Sequence, residues 1–263
     1  MHEVTPKTIS ENCNVTYKKA TNICTLWKEY KHGNLHEIYE QNQIIPILFT
    51  DSRYPKSLLH LYDPPAVLYA KGKIELLNNN KKIAIIGSRK ATDYTAKSIE
   101  QILPPLIKED YVIVSGLAKG ADTMAHQITI LQKGKTIAVL GSGFNHIYPK
   151  ENGKLLEKMS SQQLVITEYP PYMSPKKWNF PKRNRIISGL SEGVVITEAE
   201  VKSGTVSTME HALEHGKEIF AIPGPIFSPL SLGPNQLILE GARPIWDGQQ
   251  ILEELQNRKE KNR

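Results

Sequence analysis

The residues with the clearest chemical potential are Phe180-Pro181-Lys182-Arg183-Asn184-Arg185, just after Lys176-Lys177-Trp178. No acidic residue falls between Pro170 and Leu190. Cations interleaved with flat rings suit a polyanion that also offers flat faces, which describes single-stranded nucleic acid. The competing reading is a solvated basic loop whose aromatics anchor it to the core, and this stretch alone does not choose. The run reads as a proline-broken loop entering a helix at Asn184. Arg183 and Arg185 flank Asn184, so their side chains diverge. One suits a phosphate, the other a carboxylate such as Glu168 or Glu198, with the assignment open.

Simpler ligands fail on spelling. Gly141-Ser142-Gly143 begins a dinucleotide fingerprint, but His146 holds the third glycine position. Gly134-Lys135-Thr136 has a P-loop tripeptide, but Thr129 replaces the first glycine and the triplet leads into a strand. His211-Ala212-Leu213-Glu214-His215 has the spelling of some zinc peptidases and puts two histidines on one helix face. No partner cluster for a third ligand is evident, so no metal site is expected. His60, His126 and His146 read as packing or surface residues.

The elements that must position these groups come in two regimes. Residues 1–44 are polar and form a small helical module, with helices over Lys18–Tyr30 (Ala20, Ile23, Leu26 and Trp27 on one face) and His36–Gln43. Residues 45–263 form the second domain. Strands are expected near Ile44–Thr50 and Ala66–Ala70, a turn-rich connector over Leu76–Lys82, and then alternation. Ile83–Ile86, Tyr111–Val114, Thr136–Leu140, Leu164–Thr167, Val194–Thr197 and Glu218–Ile222 are near-continuously apolar, as strands buried on both faces of a parallel sheet are. Helices are expected near 93–109, 121–133, 151–161, 184–191, 205–215 and 234–241, and a frayed tail from Gln256. The fold class is a doubly wound, mostly parallel α/β sheet of extended Rossmann-like form. The chain has 263 residues, net charge +6 and 40% hydrophobic content, ample for such a core. Met1–Asn14 lacks an apolar segment, so no signal peptide is expected. Cys13 and Cys24 fit no zinc or redox motif, consistent with a reduced, cytoplasmic location.

In such a sheet ligands gather beyond the carboxyl ends of the strands. Those ends read Gly87-Ser88-Arg89-Lys90, Ser115-Gly116-Leu117-Ala118-Lys119-Gly120, Gly141-Ser142-Gly143, Glu168-Tyr169-Pro170-Pro171 and Thr197-Glu198-Ala199, with Ser203-Gly204-Thr205 opening a helix. Four glycine turns on one edge, with Arg89, Lys119 and Lys150 facing it, point to phosphate binding.

These motifs in this order resemble the DprA/Smf family of DNA-processing proteins. The resemblance rests on Gly87-Ser88-Arg89, Ser115-Gly116-Leu117-Ala118-x-Gly120-Ala121-Asp122, Tyr148-Pro149-x-x-Asn152, Glu168-Tyr169-Pro170-Pro171, Phe180-Pro181-x-Arg183-Asn184-Arg185-Ile186-Ile187 and Ala221-Ile222-Pro223-Gly224, over roughly residues 45 to 245. It implies a homodimeric protein that binds single-stranded DNA without sequence preference, protects it, and loads RecA recombinase during natural transformation, with no cofactor and no catalytic step. The DNA-contacting positions expected from edge and resemblance together are Ser88, Arg89, Ser115, Gly116, Lys119, Lys150, Lys177, Phe180, Lys182, Arg183, Asn184 and Arg185. Asn145 departs from an aspartate common in the family. The N-terminal module lacks a helix-hairpin-helix signature and is not expected to grip DNA, and no C-terminal winged helix is expected.

Two rivals come from other classes. Nucleotide phosphoribohydrolases carry a catalytic glutamate where Thr208 stands here, and Glu210 falls on another helix face. A regulatory module for a small phosphorylated ligand would saturate with that ligand and ignore oligonucleotides.

Overall fold

A computed structural model describes residues 5–12, 15–30, 35–201 and 205–261. Cys13, Ser203 and Gly204 lie outside the described residues, as do the side chains of Leu26 and Trp27. The chain divides into two compact units, Met1–Ile44 and Ile45–Arg263.

The first unit holds α1 (Pro6–Asn12), α2 (Tyr17–Tyr30) and α3 (Leu35–Gln41). On α2, among the described side chains, Ala20 and Cys24 are buried, four apart, while Ile23 is 39% exposed; Ile44 at the end of the unit is buried as well.

The second unit runs β1 (Ile45–Leu48), β2 (Val67–Gly72), β3 (Lys82–Ile86), α4 (Asp93–Lys108), β4 (Val112–Ser115), α5 (Ala121–Leu131), β5 (Lys135–Leu140), α6 (Gly153–Gln162), β6 (Leu164–Thr167), α7 (Asn179–Leu190), β7 (Gly193–Ile196), α8 (Thr205–Glu214), β8 (Glu218–Ala221), α9 (Leu232–Leu239), β9 (Arg243–Pro244) and α10 (Gly248–Lys261). All nine strands form one sheet in the order β1-β2-β6-β5-β4-β3-β7-β8-β9. From β6 to β9 every pairing is parallel; β1 and β2 add an antiparallel edge. The fold is the mixed, mostly parallel Rossmann-like sheet that the apolar runs predict.

Alternation along each central strand feeds two cores. Ile83 and Ile85 of β3 pack with Ile99, Ile102, Leu103 and Leu106 of α4 and with Ile251 and Leu255 of α10. Ala84 and Ile86 face the other way, toward Ile186, Ile187 and Leu190 of α7 and Ala212 of α8. Helices on both faces explain why the strands read as continuous apolar runs.

The turn-rich connector over Leu76–Lys82 opens in a 3-10 turn, Ile74–Asn78, whose Leu76 and Leu77 enter the core. Two expectations are corrected. The C-terminal stretch is not frayed from Gln256, because α10 continues to Lys261 and buries Ile251 and Leu255 at i,i+4 spacing. The stretch 179–183 is not a loop, because α7 starts at Asn179 with Pro181 in its first turn. Amides there have no intrahelical acceptor, so proline's missing N–H costs nothing. Among the described residues, no helix is long and apolar enough to cross a membrane.

Candidate nucleic-acid interface

The sheet order reverses between β3 and β7: chain neighbours of β3 extend one way through β4, β5 and β6, and those of β7 the other way. A crevice is expected beyond the carboxyl ends of these two strands. A cleft of about 590 Å³ lies there, lined by Ser88, Arg89 and Lys90 after β3 and by the first turns of α7. The turn after β3 is fixed by Ser88 N donating to Glu198 O at 2.5 Å and by Lys90 N donating to Ser88 Oγ at 3.0 Å. Gly120, at φ +78°, lets the turn before α5 pass close to this one; a Cβ there would stand 2.4 Å from Ser88 O.

The carboxylate of Glu198 is buried and, among the described residues, pairs with no arginine. It accepts from Thr92 N at 2.6 Å and from the hydroxyls of Thr92 and Thr95 at 2.9 and 2.8 Å. It thus holds the N-terminus of α4, where a negative charge is favoured.

The two arginines of α7 both face inward. Arg185 donates to Glu168 Oε2 at 2.6 Å, with Asp63 at 3.6 Å. That answers which carboxylate is paired and by which arginine. Arg183 is 4% exposed and enters the sheet edge. Its Nη1 donates to Gly116 O at 2.5 Å and to Val139 O, and its Nε to Asn184 Oδ1 at 3.1 Å. A Cβ on Gly116 would stand 2.1 Å from Arg183 Nη1, so only glycine admits the guanidinium. Beneath it, Asp122 accepts from the amides of Gly116 and Ala118 at 3.1 and 3.3 Å. Burial pushes the Asp122 carboxyl up, opposed first by the Arg183 charge and then by these amides. Burial pushes the Arg183 guanidinium down, and Asp122 offsets part of that.

With Nη1 and Nε engaged inside the protein, Arg183 acts as a girder, with Asn184, in the cleft floor. Ser115 is also interior, its Oγ donating to Ile85 O at 2.7 Å. Gly116 is buried, its N–H and C=O spent on Asp122 and Arg183. Neither offers a group to a ligand in this geometry.

The solvent side is carried by other members of the expected set. Arg89 and Lys177 are exposed and line the cleft; Lys119, Lys150 and Lys182 are exposed but outside its lining. Phe180, half-buried, has the Arg89 guanidinium 5.7 Å from its ring centroid and the Tyr148 ring at 5.3 Å, tilted 55°. Trp178, 62% exposed, has Lys176 Nζ 5.5 Å from its ring. Lys90 and Tyr148 line the cleft, although they are not among the DNA-contacting positions expected from sequence. The signal available for Tyr148 was its place beside Pro149 and Lys150 on the glycine-rich edge.

The fold and this cleft define a Rossmann-like protein with a cationic, aromatic-bearing crevice at its switch point. The family model described as DNA recombination-mediator protein A matches residues 46–256. The DNA processing protein DprA of Bacillus subtilis is 46% identical over 220 residues, 84% of this chain and 74% of that protein. The Streptococcus pneumoniae DprA is 45% identical over 78% of this chain and 72% of its own length. The chain belongs to the DNA recombination-mediator protein A, or DprA/Smf, family. The crystal structure of DNA processing protein A from S. pneumoniae superposes with TM-score 0.80 at 38% identity, covering 95% of this chain and 91% of that one. A structure of the Helicobacter pylori protein, described for its single-stranded DNA binding mode, gives 0.73 at 32% identity over 82% and 96%.

Proposed function

We propose that this chain binds single-stranded DNA along the switch-point cleft without sequence preference, protects it, and passes it to RecA recombinase in natural transformation or recombination. The observation that carries this reading is the trio at the cleft, in which the exposed Arg89 and Tyr148 flank the half-buried ring of Phe180. A guanidinium beside an aromatic pair can take a phosphate and a base face together, and stacking is indifferent to base identity. The description of the H. pylori relative supports the choice of single strands. Ser88, Lys90 and Lys177 form the inner contacts, and Lys119, Lys150 and Lys182 extend the cationic surface beyond the cleft. The protein acts in the cytoplasm as a homodimer. Ile226 and Phe227, each 87% exposed, and Leu239, at 89%, are apolar surface of the kind that self-association covers.

The role is binding and not turnover. Thr208 lines the cleft where a phosphoribohydrolase glutamate would stand, and Glu210 is exposed outside that lining. Release of free base from nucleoside monophosphates at enzymatic rates would overturn this.

The direct test is a mobility-shift titration against single- and double-stranded DNA at two salt concentrations. Arg89→Ala is expected to weaken all sequences alike and to flatten the log–log salt slope by about 0.7, one phosphate contact on a single strand. Phe180→Ala is expected to cost about 1–3 kcal/mol with little change in slope. If both variants bind like the parent, the cleft is not the DNA site. RecA loading is tested separately, by RecA filament nucleation on DNA coated with the parent protein.

A further inference from the structure

The His211-Ala212-Leu213-Glu214-His215 run at the end of α8 has no part in the cleft. Its two rings are parallel to within 11°, with centroids 6.0 Å apart, as i,i+4 spacing on one helix face requires. Both rings have their Nδ1 engaged. His211 Nδ1 lies 3.3 Å from Glu214 Oε2, and an ionised carboxylate only accepts, so the ring carries its proton on Nδ1. His215 Nδ1 lies 2.9 Å from Ser188 Oγ. Ser188 is fully buried and donates its one hydroxyl proton to Arg185 O at 3.2 Å, so it accepts from His215 Nδ1–H. In both rings the lone pair therefore sits on Nε2. That is how metal-ligating histidines are prepared: the far ring nitrogen donates to a carboxylate or another oxygen, fixing tautomer and orientation.

The potential ligand atoms of His211, Glu214 and His215 lie within 4.8 Å of one another. Two imidazole nitrogens on one tetrahedral ion, at bonds of about 2.05 Å, stand about 3.3 Å apart, so rotation of the two side chains must bring their Nε2 atoms together. We propose that His211 and His215 bind one divalent ion of the zinc, nickel and copper class through Nε2, with Glu214 holding His211 in the ligating tautomer and water completing the shell. Imidazole ligands suit this class of metals. Because Ser188 belongs to α7, an ion here would brace the helix that lines the DNA cleft.

The test is calorimetric titration of the full, untagged chain with zinc and nickel chloride, alongside thermal unfolding with and without metal. The expected result is one saturable equivalent of zinc and a rise in Tm. His211→Gln, at a partly exposed position that should not disturb folding, is expected to weaken binding by at least about 10-fold, and Glu214→Gln by about 10–100-fold. In His211→Gln/His215→Gln the equivalent and the Tm rise both disappear. A parent without one-to-one binding, or a double variant that titrates like the parent, overturns the proposal.

Discussion

Replacing Arg183 by methionine is expected to destabilise the chain by about 3–5 kcal/mol, the cost of breaking a buried charge pairing. Arg183 is 4% exposed, and its guanidinium holds together the ends of β4 and β5 by donating to Gly116 O and Val139 O. Methionine fills most of the volume but strands both carbonyls, and it leaves the buried Asp122 without its opposing charge. The measurement is the urea midpoint at unchanged m. Adding Asp122→Asn removes the stranded charge, so the double variant should recover part of the loss; the remainder reports the lost hydrogen bonds. Single-stranded DNA binding, measured where the variant is still folded, should keep the parent's salt slope. A variant as stable as the parent, with a slope flattened by about 0.7, would instead make Arg183 a phosphate contact.

That contrast marks what the sequence makes legible. The parallel sheet could be read because Ile83–Ile86 and Val194–Ile196 are apolar at every position, which only a strand covered on both faces tolerates. The site edge followed, since strand ends carry the ligand in this architecture. The start of α7 was hidden because proline reads as a break, although the first helical turn has no amide bonds for it to disrupt. Helix α10 was hidden because two buried residues, Ile251 and Leu255, sit among glutamines and charges. The roles of Arg183 and Arg185 were hidden for a different reason. Sequence shows a charge but not its partner, and these partners lie 67 and 17 residues away, at Gly116 and Glu168. A basic run that looks like six residues of DNA contact is divided by helix geometry. Lys182 stays in solvent and Phe180 lies half-buried at the cleft, while Arg183 and Arg185 turn into the fold.

The charge of Arg183 reaches a second buried group, which yields a pH dependence. His126 on α5 is fully buried, and its Nδ1 lies 2.7 Å from Thr136 Oγ1. Thr136 donates its hydroxyl proton to Ile113 O at 2.8 Å, so His126 donates from Nδ1–H and its Nε2 has no hydrogen-bond partner among the described residues. Protonating Nε2 would create a buried, unpartnered cation in the field of Arg183. Burial first, and then Arg183, push His126 down to about 3 from 6.5. A base whose folded-state pKa is depressed contributes stability that is complete above its unfolded pKa and is lost as pH falls toward the folded one. The window therefore runs from about pH 6.5 down to about pH 3. At about 1.4 kcal/mol per unit, the loss from this one ring should be about 2 kcal/mol at pH 5. His126→Asn keeps a donor for Thr136 and cannot take up the proton. Its stability, followed by urea unfolding at several pH values, should fall less steeply between pH 6.5 and 5 than the parent's. The comparison is of slopes, so any offset at neutral pH does not enter. Equal slopes in parent and variant would mean that His126 is not the group taking up the proton, and that the field of Arg183 is neutralised before it reaches α5.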